Sequence, residues 1–155
     1  MRRMMISAAA GVVLVTTALG AALWRRAIMP TIDPDDHALV DAGRVDYARH
    51  CAACHGANLE GQAHWRERLP NGRLPAPPHS AAGHTWHHPD RQLFEITRNG
   101  PSEIVAGYQS DMPAFKAVLS DRAIIAVLAY IKSTWPADIR AAQERVTAAD
   151  QKSRR

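Results

Sequence analysis

Cysteine is scarce in this chain of 155 residues, which has only two, and both lie in one short stretch, at Cys51 and Cys54. Two thiols so close together exclude a disulfide framework, and they are too few for a four-thiolate zinc or iron–sulfur site. Acidic residues are absent from positions 1–30, which contain four arginines. Of the 19 basic residues, 15 therefore follow Pro30, where they face 15 acidic ones. The part after Pro30 has no excess of basic charge, so we expect no nucleic-acid partner.

Polar and apolar residues do not alternate as they do in a half-buried strand, and no internal repeat is visible. Helical spacing occurs instead. Leu39, Gly43 and Tyr47 fall four positions apart, on one helical face that leads directly into Cys51. With 46% hydrophobic and 22% charged residues, the composition is that of an ordinary globular protein. We therefore predict an all-α domain.

Start and stop signals predict two further helices. Pro89 suits the first turn of the segment that continues as RQLFEITRN and stops at Gly100. Ser120 caps a longer helix with apolar residues at helical spacing, and Pro136 ends it. Residues 56–88 contain four prolines, which lack a backbone donor, so this region is predicted to be irregular.

An uncharged run from residue 4 to residue 24 lies between two pairs of arginines. As a helix it would be about 31 Å long, enough to cross the hydrocarbon core of a bilayer. A cleaved secretory signal is the main alternative, since Ala18-Leu19-Gly20 resembles a cleavage site. A buried helix of a soluble core would need apolar surroundings on every side. We predict a transmembrane anchor. Because two arginines lie on each side of it, the charges do not indicate which end faces the cytoplasm.

These features divide the chain into four parts. The stretch TIDPDD is short, polar and contains proline, which is typical of a linker. The tail is rich in alanine, glutamine and charge, which indicates an exposed helix that frays. The predicted parts are an anchor or uncleaved signal at 1–29, a linker at 30–36, a folded domain at 37–135 and a polar, partly helical tail at 136–155.

The segment Cys51-Ala52-Ala53-Cys54-His55 has the C-x-x-C-H spacing of covalent haem attachment. Two thiols three positions apart on one helical turn can each form a thioether to a haem vinyl group, which leaves the next imidazole to bind the iron. A thioredoxin-like redox pair would make no use of His55, and a zinc site would need distant histidines. The spacing predicts one haem c, bound through Cys51 and Cys54, with His55 as the proximal ligand.

With these segments in view, the chain resembles the class I monohaem cytochromes c of mitochondrial and bacterial type. The resemblance spans residues 40–135 and rests on the motifs GRVDYARHCAACHG, DMPAF and LSDRAIIAVLAYIK. It implies a fold in which an N-terminal helix crosses a C-terminal helix, with a short middle helix and long loops around one covalent haem. The implied crossing contact places Gly43 and Tyr47 against Tyr130. Asp46 departs from the apolar residue that often precedes the aromatic, and the loop 64–88 is longer than in the simplest members.

A low-spin electron carrier needs a second axial ligand, and methionine raises the reduction potential relative to a second imidazole. Four of the five methionines lie at positions 1, 4, 5 and 29, so Met112 alone remains inside the domain. Pro113 restricts Met112 to an extended backbone, which suits a loop that projects a thioether. The DMPAF segment matches the family's M-P-x-F pattern, which implies that Met112 is the distal ligand rather than a residue of the core.

The resemblance also implies a partner for the proximal imidazole, because in the family a proline carbonyl accepts its N–H. Four prolines follow the haem motif, and Pro77 is the candidate.

Five of the eight histidines lie between positions 64 and 88. Loop polarity, or packing against Trp86, is the simpler interpretation. The alternatives are another axial ligand and a secondary copper site, since imidazoles suit copper. The candidate copper ligands are His79, His84, His87 and His88.

These observations predict one-electron transfer without catalysis, because a haem with both axial positions filled has no open site for peroxide or O₂. The alternatives are a haem- or copper-binding sensor and the cytochrome subunit of a dehydrogenase or reductase complex. Haem is attached to cysteine outside the cytoplasmic membrane, so we expect the domain to face the periplasm from the bacterial inner membrane, or to be soluble there after signal cleavage. The expected partners are redox proteins, with the donor and acceptor unknown.

Overall fold

Six α-helices and one 3₁₀ turn make up the part of the chain that the computed structural model describes, residues 31–154. The elements are α1 (His37–His50), α2 (Ala52–His55), the 3₁₀ turn (Thr85–His87), α3 (Asp90–Asn99), α4 (Pro101–Ile104), α5 (Asp121–Ser133) and α6 (Ala137–Ser153). These residues contain no strand, which confirms the all-α prediction for this part of the chain. No helix within it is long and apolar enough to span a bilayer. The predicted anchor at 1–29 lies outside the described residues.

Helices α1 and α5 each begin at a side-chain cap. The carboxylate of Asp36 accepts a hydrogen bond from the backbone N–H of Leu39 at 3.0 Å, and α1 begins at the next residue. The hydroxyl of Ser120 accepts one from the N–H of Ala123 at 3.2 Å at the start of α5. Each cap satisfies a donor that the first helical turn leaves free. The predicted start of α5 at Ser120 is confirmed.

Helices α1 and α5 cross at a glycine. Gly43 is buried, and a Cβ at this position would overlap the backbone carbonyl of Ala126. One helical turn further along, the rings of Tyr47 and Tyr130 lie with their centroids 5.3 Å apart. The crossing that the resemblance implied is therefore present, and it brings the end of α1, with Cys51, onto the face of α5.

The core lies mainly on α5. Its apolar residues at helical spacing are almost completely buried, and they share a cluster with residues of α1, α3 and the loop before α5. The members from α5 and the residues just after it are Ile124, Ile125, Ala126, Val127, Leu128, Ala129, Ile131 and Trp135. Because nearly the whole circumference of α5 is covered, this helix is the frame on which the other elements are placed.

The C-terminal segment is a helix that packs on the domain, which differs from the exposed, fraying tail predicted above. Gln143 of α6 is completely buried, and its side-chain amide donates to the carbonyl of His88 and the carboxylate of Asp90. The backbone N–H of Asp90 in turn donates to the hydroxyl of Thr147 at 3.1 Å. The helix was expected, but its packing on the domain was not, because polar residues make much of this contact.

The region between α2 and α3 is irregular, as predicted, except for the 3₁₀ turn at Thr85–His87. The turn lies against α6. Gly100, at φ 84°, ends α3 in a conformation that favours glycine, and α4 follows directly.

Candidate functional site

The two cysteines lie at the junction of α1 and α2. The N–H of Cys51 donates to the carbonyl of Tyr47 at 2.9 Å as the last bond of α1, and the N–H of His55 donates to the carbonyl of Cys51 at 2.9 Å. Both thiols are free; Cys54 is exposed and Cys51 is half-buried. Burial, with the negative charges of Asp46 and Cys54, raises the pKa of Cys51 to about 11. The thiols are therefore held on one helical turn, with Cys51 protonated at neutral pH.

His55 is 7% exposed, and its Nδ1 lies 2.8 Å from the carbonyl oxygen of Pro77. A carbonyl can only accept, so Nδ1 carries the proton of this hydrogen bond. Burial lowers the pKa of His55 and outweighs the opposite effect of the bond to Pro77. The imidazole is thus neutral, and its Nε2 keeps a free lone pair, as a metal ligand requires.

The ring of His79 stacks on that of His55, with centroids 4.0 Å apart and planes inclined by 24°. The edge of the Tyr47 ring meets His79 from another side, at 6.3 Å between centroids. Burial, followed by the proximity of His55 and His84, holds the pKa of His79 well below its usual value. His79 is therefore part of the interior around the candidate proximal ligand, a role that its position in a histidine-rich loop does not indicate.

Met112 lies on the loop between α4 and α5, apart in sequence from the cysteine motif. It is half-buried and packs against the hydrophobic core. Its N–H donates to the hydroxyl of Ser110 at 3.1 Å, and its neighbour Asp111 pairs with Arg73. The Arg73–Asp111 pair ties the Met112 loop to the loop that follows the haem motif.

Of the four histidines considered as copper ligands, His84 and His88 lie next to each other, with ring centroids 5.3 Å apart, but the other two face different partners. His84 lies parallel to Trp65 at 5.3 Å, and the exposed His87 stacks on Trp86 at 3.7 Å. His79 faces His55 instead. Within residues 31–154, no group of three or more His, Cys, Asp or Glu is arranged to hold a metal ion. The alternative of a secondary copper site therefore gains no support from the described residues, and the simpler interpretation of these histidines as packed or polar loop residues stands.

Sequence reasoning missed two features near the site. One is the stacking of His79, which depends on a loop with no periodic pattern. The other is a buried ion pair, in which Nζ of Lys132 lies 2.8 and 2.9 Å from the carboxylate oxygens of Asp90. The only sequence signal for this pair is that Lys132 lies on the apolar face of α5, and this position does not indicate which acidic residue is its partner.

One comparison with known protein families gives a match. The family described as cytochrome c oxidase, cbb3-type, subunit III, matches residues 38–131. This range includes Cys51, Cys54, His55 and Met112. No curated protein and no solved structure gives a significant match to the chain.

Proposed function

Because the chain belongs to the family of cytochrome c oxidase, cbb3-type, subunit III, and is therefore a c-type cytochrome, we propose that it carries a single covalent haem c with His/Met ligation. Haem-based electron transfer is the general activity of such a domain. The observation that carries the proposal is the buried imidazole of His55, hydrogen-bonded to Pro77, next to two free thiols on one turn.

The donor set fits a covalently attached haem. Cys51 and Cys54 would supply the two thioether sulfurs, and their separation by one helical turn agrees with that requirement. His55 would be the proximal ligand through Nε2, while Pro77 keeps the ring oriented through Nδ1. When bound, haem c supplies a one-electron couple. These residues would hold it and supply a ligand to its iron.

Met112 is the proposed distal ligand. Its loop is tied down just before Met112, by the Ser110 contact and by the Arg73–Asp111 pair. A thioether in the second axial position favours the reduced iron and leaves no open coordination site. We therefore propose an electron carrier, free or within a complex, rather than a catalyst of its own.

A denaturing gel stained for haem peroxidase activity tests covalent attachment. The protein is produced in cells competent for cytochrome c maturation. We expect haem to remain on the wild-type band and on the control Ala53→Ser, an exposed position within the motif. We expect no stain on the double variant Cys51→Ala/Cys54→Ala. A colourless wild-type band would overturn the proposed function.

Substitution of Met112 tests the distal ligand. Oxidised wild-type protein should show the weak far-red sulfur-to-iron charge-transfer band, and Met112→Ala should lose it completely while keeping the haem attached. Val105→Ala, at an exposed position of the preceding segment, is the control that should keep the band. An unchanged spectrum for Met112→Ala would contradict the assignment.

We further propose that the domain works in the periplasm and is tethered by the uncharged segment at 4–24. The support is the haem motif, since haem is attached to cysteine outside the cytoplasmic membrane. Fractionation of cells and the mass of the purified protein test this proposal. A tethered protein sediments with membranes and keeps its N-terminal segment. A mass that corresponds to a chain beginning near Ala21 would contradict the tether but leave the proposed haem site unaffected.

A second candidate is an electron-transfer subunit of a terminal oxidase. The family's description, which names such a subunit, favours it. When the protein is isolated from membranes in mild detergent, it should then purify as part of a complex that contains further haem groups in other subunits. A monomeric cytochrome under the same conditions would favour an independent carrier.

A further inference from the structure

The ring of His79 is held on several sides. Its Nδ1 lies 2.8 Å from the hydroxyl oxygen of Thr85, and the backbone carbonyl of His79 accepts a hydrogen bond from Nε1 of Trp135 at 2.7 Å. The Tyr47 ring packs against it edge-on. The ring also stacks on the imidazole of His55, with centroids 4.0 Å apart. His79 is therefore fixed by its neighbours before it contacts His55.

The hydrogen bond from His55 to Pro77 leaves one rotation of the imidazole ring unrestrained. A single bond at Nδ1 fixes one corner of the imidazole, but the ring can still tilt about the line that joins the nitrogen to the oxygen. A second ring stacked on its face at 4.0 Å opposes that tilt. The two contacts together define the plane of the ring.

We propose that His79 is a positioning residue that sets the plane of the His55 imidazole and thereby tunes the haem couple. This inference rests on the proposed function, since it concerns the orientation of the proximal ligand. Outer contacts of this kind orient metal-bound imidazoles and change their donor strength.

The supports of His79 extend to the C-terminal helix. Thr85 belongs to the 3₁₀ turn, and Gln143 of α6 holds the end of that turn through the carbonyl of His88 at 3.2 Å. Trp135 lies between α5 and α6. The plane of His55 therefore depends on elements that are far from the cysteine motif in sequence.

Two variants separate the ring from its hydrogen bond. His79→Ala removes the stacked face and makes room for water beside His55, and water favours the more highly charged, oxidised iron. We expect the equilibrium constant for reduction of the haem to fall about tenfold, which lowers the reduction potential by about 59 mV for one electron. We also expect the low-spin electron paramagnetic resonance signal of the oxidised protein to broaden. His79→Phe keeps a stacked ring and should restore a narrow signal.

A control of comparable size excludes a general effect of lost packing. Ile32 is buried at the start of the domain, near Asp35, which pairs with Arg140 of α6. Ile32→Ala should lower the thermal midpoint as a core truncation does, but leave the potential and the signal unchanged.

These experiments distinguish a failure of the proposed role of His79 from a failure of the proposed function. If wild-type protein binds haem covalently but His79→Ala keeps its potential and signal, the role of His79 is refuted and the function stands. A broad signal in a folded His79→Phe would also refute it. If His79→Ala does not fold, Thr85→Val replaces it, because it releases the ring without removing it. A smaller shift in the same direction supports the proposal, and no shift contradicts it.

Discussion

Gly43 is the residue on which the contact between α1 and α5 depends. Its hydrogen is the only side chain that leaves room for the carbonyl of Ala126. This approach lets Tyr47 reach Tyr130 and Gly56, whose carbonyl accepts the phenol hydrogen at 2.9 Å. Tyr47 in turn borders the histidine pair, so a backbone contact at Gly43 determines the position of the candidate ligand.

Gly43→Ala is expected to lower the free energy of unfolding by about 3 kcal/mol or more, since the added methyl overlaps backbone atoms that have no room to move. Denaturant unfolding of the protein with haem attached measures this loss. The exposed Ala48→Ser on the same helix should change stability by about 0.5 kcal/mol or less. Equal stability of the two variants would mean that the helices separate without cost.

At the residue scale, the sequence predicts what local spacing determines. Cys51, Cys54 and His55 lie on one turn because three positions span one turn of a helix. Pro77 and His55 lie 22 residues apart in the sequence, and only the family resemblance suggested their contact. The position of His79 depends on Thr85 and Trp135 together, which no local pattern in the sequence encodes.

At the scale of elements, Asp90 joins three helices. It lies in the first turn of α3, pairs with Lys132 of α5 and accepts from Gln143 of α6. The side chains of Lys132 and Asp90 are only 6% and 16% exposed, so the pair is shielded from solvent. Helices α1, α3 and α5 are predictable because their apolar residues recur at helical spacing. The packing of α6 is not, because polar groups more than 50 residues apart in the sequence make it.

Asp90→Ala should destabilise the protein by about 3–5 kcal/mol, because it leaves the buried charge of Lys132 without a partner. The double variant Asp90→Ala/Lys132→Met removes both charges and should recover a large part of that loss. Arg44→Ala, which breaks an exposed pair with Asp41, should cost at most about 1 kcal/mol. Unfolding in denaturant compares the three, and a double variant no more stable than Asp90→Ala would contradict the account.

At the scale of the whole molecule, buried imidazoles link folding to pH. The pKa values of His55, His79 and His84 all lie below the usual value, mainly because burial disfavours the charged form. The unfolded chain binds a proton at each histidine near pH 6.5, whereas the folded chain binds it only at lower pH. Acidification therefore favours the unfolded state, and the domain should lose stability as the pH falls below about 6.5.

His84 isolates one part of this dependence, because it is not one of the proposed iron ligands. Among the described residues its buried Nδ1 has no hydrogen-bond partner, and its ring stacks on Trp65. Burial and the nearby His88, His87 and Arg66 lower its pKa. His84→Phe keeps the stack and removes the titrating group. We expect its denaturant midpoint to fall less than that of wild type between about pH 7 and pH 5.

The exposed His37→Gln at the start of α1 is the matched control for that comparison, and it should keep the wild-type dependence on pH. The sign of the effect follows from the direction of the pKa shift. A histidine whose pKa were raised by folding would stabilise the protein in acid, and its replacement would steepen the loss of stability on acidification. A steeper or unchanged dependence in His84→Phe would therefore show that the imidazole is charged or freely solvated in the folded domain, and that the Trp65 stack does not shield it.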